Sequence, residues 1–285
     1  MTVRLFSLCI ALLLTVCSAG RAAEAPAFAP GSTMDRLSKA ATLRIGVKYD
    51  QPLFGMRNLS GQPEGFDIDL AKLIAAKLGF PADKITWVET SAPNREPFLQ
   101  QDRVDLVIAT YTITEKRRKV VNQAGPYLVG GQVLMVKKGN PQHLAGPQNL
   151  DDKKTCVLSG STGQNFMLTH YPKAILVPFD VVSKCNEALK NGSVDAIVSP
   201  NHVLAGLVKA DPHGVEMVGK PFLDEPIGVG MNRNAVDLCN FVLDVLRKAD
   251  ADGSYAAIYN RQVKAWLGGD GKLPPLDPCP PASGA

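Results

Sequence analysis

The sequence predicts an α/β fold built around two sheets. Three observations predict it. Short, β-branched apolar runs bounded by turn residues recur along the chain. The first two are separated by an amphipathic helical pattern, and strand–helix–strand spacing of that length implies a parallel crossover. The same alternation returns between 155 and 218. With 285 residues, 45% apolar and 20% charged, the chain can fill two lobes.

The elements follow in order. "MTVRLFSLCIALLLTVCSAGRA" has a cationic start at Arg4, an apolar run from 5 to 16 and small residues at 18–20. This is the layout of a secretory signal peptide, 1–22, and the run is short for a membrane span. Lipid anchoring through Cys17 is the alternative, disfavoured because Val16 stands where a small residue is expected. The expectation is export, to the periplasm or the cell exterior. Residues 23–40 open small and proline-rich and read as a tether.

Strands are expected at 43–47, 85–88, 104–109, 133–136, 155–158, 175–178, 195–198, 215–218 and 227–231. Between the first two, Phe66, Leu70, Leu73, Ile74 and Leu78 recur at helical spacing, and Gly79 and Pro81 stop the helix. Asp67 and Asp69 suit its first turn. "VLMVKKGN" and "PIGVGMNR" bracket the second alternation and read as a pair of strands crossing between lobes. Lobe one is then 41–135 with 228–268, and lobe two 136–227. The helix after residue 235 places Val236, Phe241, Val245 and Leu246 near one face, and a final helix ends at Gly268. The tail, 269–285, holds too much proline for a helix.

Net charge is +4; without Arg4 and Arg21 it is 4 − 2 = +2. That is too small to argue for nucleic acid, and 6% aromatic residues offer few stacking platforms. Outside the leader stand Cys156, Cys185, Cys239 and Cys279. Their wide spacing excludes a CxxC site. In an exported chain they read as two disulfides, 156–185 and 239–279 by pairing neighbours, with free buried thiols as the alternative. A bridge closing a loop of about 30 residues stabilises by about 3 kcal/mol.

No catalytic constellation emerges. HExxH, GxSxG and GK[ST] motifs are absent, and His143, His170, His202 and His213 lack ligand spacing. "GVGMNR" lacks the third glycine of a dinucleotide loop. No metal or cofactor is implied. What remains are anion-binding features. "TYTITEKRRK" follows the strand ending at Ala109, and Arg117 with Thr110 and Thr112 offers donors for a carboxylate. Most of that basic run reads as solvated. "SGSTGQNF" follows the strand 155–158, where Ser161 and Thr162 either cap the next helix or present its amides to an anion. The local pattern alone favours capping. Lys48 and Arg95 also lie just past strands. Ligands of open α/β sheets gather at the carboxyl ends of strands. Four such positions fit a pocket for a small anion with more than one carboxylate.

Taken in order, these pieces resemble the extracytoplasmic solute-binding proteins of family 3, the polar amino-acid receptors of ABC importers. "LRIGVKYDQPLFG", "GQPEGFDIDLAKLIAAKLGF", "VDLVIATYTITEKRRKVVNQAGPYL", "KKTCVLSGSTGQNF" and "NEALKNGSVDAIVSP" carry the resemblance. Lys48, Arg95, the pair Cys156/Cys185 and "MVGKP" look like the glutamate/aspartate branch. The resemblance implies a two-lobed, type II periplasmic-binding-protein-like fold with two crossover strands as hinge. It implies a monomer without catalytic activity that delivers glutamate or aspartate to a permease. Arg117, Thr112 and the Ser161–Thr162 turn would hold the α-carboxylate, and Lys48 and Arg95 the side-chain carboxylate. One departure stands out. The family's ammonium-binding acid falls at Pro200, which leaves Asn201 or Asp180 to compensate, or a ligand without an amine. A sensor subunit and a dehydratase-like enzyme, with Glu89 and Asp50 as candidate acids, are the alternatives.

Overall fold

The computed structural model describes residues 28–281. The expected leader, with Cys9 and Cys17, lies outside them. The first element is α1 (Thr33–Ser38). Ser32 caps it by accepting the Asp35 N–H at 3.1 Å, and Met34 and Leu37 are buried. The expected tether is therefore corrected: Met34 and Leu37, three apart, give one apolar face that docks on the core, and the Asp237 carboxylate receives the Met34 N–H at 2.8 Å.

The first lobe continues through β1 (Leu43–Val47) and a small ribbon, β2 (Asp50–Gln51), β3 (Gly55–Arg57) and β4 (Pro63–Glu64). Then come α2 (Phe66–Lys77), β5 (Ile85–Glu89), α3 (Arg95–Gln100), β6 (Leu106–Thr112) and α4 (Glu115–Arg118). On α2 the buried face is Phe66, Ile68, Leu70, Ala71, Ile74 and Ala75, while Leu73 and Leu78 are half-buried. Asp67 is also buried: its carboxylate accepts the Thr110 N–H at 2.8 Å and the Tyr127 hydroxyl at 2.9 Å. It clamps helix to sheet as well as suiting the dipole.

The 17-residue strand β7 (Val121–Lys137) crosses to the second lobe. There β8 (Lys154–Leu158), α5 (Thr162–His170), β9 (Ile175–Phe179), α6 (Val182–Asn191), β10 (Ala196–Pro200), α7 (Asn201–Ala210) and β11 (Val215–Val218) alternate. Strand β12 (Asp224–Asn232) returns, followed by α8 (Val236–Ala251), α9 (Ser254–Gln262) and α10 (Lys264–Leu267). The expected single last helix breaks at Val263. The buried stripe of α8 is Leu238, Val242, Leu243, Val245, Leu246 and Ala249; Val236 and Phe241 are only half-buried.

Strand order is β5-β1-β6-β12-β7 in the first lobe, and β7 then continues into β10-β8-β9 with β11 on its other edge. Strands β1, β5 and β6 are parallel, as are β8, β9 and β10. Strands β7 and β12 run antiparallel to each other and to their neighbours. Pairing changes lobes between Gly131, opposite Asp224, and Gln132, opposite Pro200. The Gln132 N–H donates to Leu223 O at 2.8 Å at that point. The crossing thus lies at 131/132 and 223/224, four residues ahead of the boundaries read from apolar runs, because those runs continue through the hinge.

Both cysteine pairs are bonded, Cys156–Cys185 and Cys239–Cys279, with Cα atoms 5.6 and 6.1 Å apart. The second ties α8 to the tail, whose Leu273 and Leu276 pack on the first lobe. Arg118 also pairs with Asp277 at 3.2 Å. Cys279→Ala is expected to lower stability by about 2–4 kcal/mol and to expose the tail to trypsin at Lys272. Melts of the oxidised proteins check this; an unchanged melting temperature refutes the tail's structural role.

Candidate functional site

The site grows from the strand ends that meet between the lobes. Strand β6 is irregular there. Tyr111 pairs with Gly228 and Val107 with Gly230, so three residues on β6 face one on β12. Within this bulge Thr110 takes φ 45°, a costly conformation for a β-branched residue. The Asp67 carboxylate holds the Thr110 N–H, and the Thr110 hydroxyl donates to Gln51 Oε1 at 2.9 Å. The bulge turns two carbonyls toward Arg95, whose Nη1 donates to Ala109 O at 3.5 Å and Thr110 O at 3.3 Å. Its Nε donates to Ala92 O at 3.1 Å. Arg95 is thus held by backbone carbonyls and makes no ion pair among the described residues.

These groups line a narrow cavity between the lobes, about 20 Å³ in volume. The first lobe contributes Lys48, Gln51, Arg95, Thr110 and Thr112. Gln132 comes from the crossing. The second lobe adds Ser161 and Thr162 at the start of α5, and Ser199, Pro200 and Val203 around the end of β10. Three of these side chains carry buried polar atoms without a partner: Lys48 Nζ, Gln132 Oε1 and Ser199 Oγ. Such atoms are rare in a folded interior and costly when left unpaired.

The electrostatics are lopsided. Burial pushes the Lys48 ammonium down to about 7, and the nearby Arg95 charge adds to it. Burial pushes Arg95 down to about 10, helped by Arg117. Burial drives Asp67 up to about 7, against the two hydrogen bonds it accepts.

Two of the expected residues lie off the wall of the inner cavity. Arg117 is buried, yet all three of its nitrogens are taken by protein. Nε pairs with Glu96 at 2.8 Å, Nη1 donates to Thr112 O at 2.8 Å and Nη2 donates to Gly160 O at 3.0 Å. Thr114 caps α4 by accepting the Arg117 N–H, and this aims the side chain at Glu96 on α3. Arg117 therefore lines an outer groove with Glu96, Lys116 and Asn165 and not the inner cavity. Its guanidinium carbon and that of Arg95 each lie 4.8 Å from the Tyr111 ring centre. Asn201 is at the hinge: its Oδ1 accepts the Gly131 N–H at 3.1 Å. Neither Asn201 nor Asp180 lines the cavity, so neither stands in for an acid at Pro200.

Thr110, Thr112, Ser161 and Thr162 line the cavity and make further bonds. Ser161 caps α5 by accepting the Gln164 N–H at 3.0 Å. The Thr112 and Thr162 hydroxyls both donate to Glu225, a fully buried carboxylate on β12, which also accepts from Gln132 Nε2 at 2.8 Å. Glu225 therefore joins both lobes and the crossing strand. Sequence reasoning missed Gln51, Gln132, Ser199 and Glu225. Only "LDEPIG", an acid inside an apolar strand, carried a signal.

The lobes meet along both rims. The Ser183 N–H donates to Asp50 at 3.1 Å, and the Ala92 N–H to Asp180 O at 3.4 Å. Gly206 on α7 comes so close to Pro52 that a β-carbon there would lie 2.1 Å from its carbonyl oxygen.

A model of the bacterial extracellular solute-binding proteins, family 3, matches residues 43–265. The chain belongs to this family. A curated family relative, the ABC transporter glutamine-binding protein of Bacillus subtilis, is 34% identical over 263 residues, covering 91% of this chain and 95% of that one. The glutamate-binding protein of Corynebacterium glutamicum is 32% identical over 232 residues, 78% of each chain. Among solved structures, the solute receptor for L-cysteine of Neisseria gonorrhoeae has a TM-score of 0.78 at 30% identity, covering 83% of this chain and 96% of that one. An ancestral arginine-binding protein bound to glutamine has a TM-score of 0.74 at 36% identity, covering 81% and 99%. The periplasmic-binding-protein-like fold of the family is the fold of this chain.

Proposed function

We propose that the protein captures a small acid bearing more than one carboxylate and presents it to an ABC importer. One observation carries this reading: the unpartnered Lys48 Nζ and Ser199 Oγ converge on a single cavity between the lobes, beside the bulge-held Arg95. Fixed donors awaiting an acceptor are what a carboxylate needs. Lys48, Arg95 and Ser199 serve the carboxylates, with the α5 N-terminus at Ser161 and Thr162 adding its dipole. Arg117 ties the rim through Gly160 and acts on closure, not on the solute itself. The resemblance to the glutamate/aspartate branch and the glutamate-binding relative of Corynebacterium glutamicum support an acid of that size. Closing two lobes over a solute creates the shape a permease reads.

Calorimetry on the mature protein tests this. Glutamate, aspartate or an unsubstituted dicarboxylate of the same length is expected to bind and to raise the melting temperature. Binding of arginine or glutamine in preference to every acid overturns the reading.

A further inference from the structure

The charge inventory of the cavity goes further, resting on the reading that it takes a small acid. We propose that it selects a dicarboxylate without a charged amine over the amino acid of the same carbon skeleton. Among the described residues, two cations, Lys48 and Arg95, line the wall, and no aspartate or glutamate does. The carboxylates nearby are turned to protein donors. Asp67 accepts the Thr110 N–H and the Tyr127 hydroxyl. Glu225 accepts from Thr112, Thr162 and Gln132. Asp50 receives the Ser183 N–H across the rim, Glu96 pairs with Arg117, and Glu89 is exposed.

An ammonium entering this space would shed its water, face two cations and find no carboxylate of its own. Burying a charge without a partner is costly. At the end of β10 the wall is Pro200, whose ring neither donates nor accepts. The unpaired donors, Lys48 Nζ and Ser199 Oγ, suit carboxylates. Among the described residues, Gln132 Oε1 is the one unpaired side-chain atom of the cavity wall that can only accept, and it is neutral. It can accept from a hydroxyl, but it supplies no negative charge to offset an ammonium.

Titration calorimetry with isosteric series tests the proposal. In the four-carbon series the probes are succinate, malate and aspartate; in the five-carbon series they are glutarate and glutamate. The best amine-free acid is expected to bind at least about tenfold tighter than the amino acid of equal length, the scale of one charge-assisted bond lost. Aspartate or glutamate binding as tightly as its amine-free counterpart, or tighter, overturns the proposal while leaving acid capture intact. Binding of none of the acids overturns both. Pro200→Asp supplies the missing acid and is expected to move the aspartate-to-succinate preference about tenfold toward aspartate; an unmoved ratio also counts against the proposal.

Discussion

Lys48→Met is expected to make the protein more stable and nearly blind to its solute. Lys48 Nζ is buried without a hydrogen-bond partner, beside the Arg95 charge. Its ordinary value of 10.5 is pushed down to about 7. The sign follows from linkage. Unfolded lysine keeps its proton up to about 10.5, whereas the folded site sheds it near 7. Burying this lysine thus costs stability in full below about 7, and the cost fades as pH rises toward 10.5. At neutral pH the cost is on the order of 3–4 kcal/mol. Methionine keeps most of the side-chain volume and removes the charge. The melting temperature should rise by roughly 5–10 °C at pH 7, and the gain should shrink by pH 10. Asp67, already pushed up by burial, loses a nearby cation and stays protonated to higher pH. Acid binding should weaken by about 30-fold or more, the scale of truncating one partner of a buried charge pair. Calorimetry and melts on one preparation read both effects. A variant that loses stability, or that binds acids as well as the parent, removes Lys48 from the site.

The second large effect concerns acid. His202 sits on α7 with both ring nitrogens unpartnered and its ring 5.3 Å from that of Phe54. Burial pushes its value from 6.5 down to about 3. The folded protein holds the neutral ring, while the unfolded chain takes up a proton below about 6.5. Stability is therefore present in full above 6.5 and is lost as pH falls toward 3, at up to about 1.4 kcal/mol per pH unit. Asp67 works in the opposite sense. Its value is raised from 3.8 to about 7, so its contribution is present below 3.8 and is lost as pH rises through 7. The two slopes partly cancel in the parent, and His202→Leu separates them. Between pH 7.5 and 4.5 the parent should lose about 2–3 kcal/mol more than the variant in denaturant melts. Equal losses would show that the His202 ring finds a partner for its proton in the folded state.

The sequence carried the frame better than the interior of the site. Strands such as 43–47 and 175–178 were legible because β-branched runs between turn residues have few other folds open to them. The disulfide partners were legible because four cysteines allow few pairings. Lys48 and Arg95 stood out as cations just past strand ends. The placement of Arg117 was not legible for a physical reason: its orientation depends on Glu96, which lies on a different helix and is brought near only by the packing of α3. Gln51, Gln132 and Ser199 are neutral polar residues in strands, where local pattern cannot tell a cavity wall from a solvated face. Asn201 followed the expected strand closely enough to seem part of the wall, but one residue of helix turns it onto the hinge.

The crossing at 131/132 and 223/224 also bears on the order in which the molecule assembles. Every strand of the second lobe comes from one stretch of chain, so that half can form as soon as its residues are available. The first lobe must wait, because β12, a central strand of its sheet, arrives only after the whole insertion. Its nucleus spans long sequence separations, which slows closure. The half that holds Lys48 and Arg95 is thus the later one to mature, and sequence changes within 132–223 reach it first through the time its unfinished sheet edge stays open.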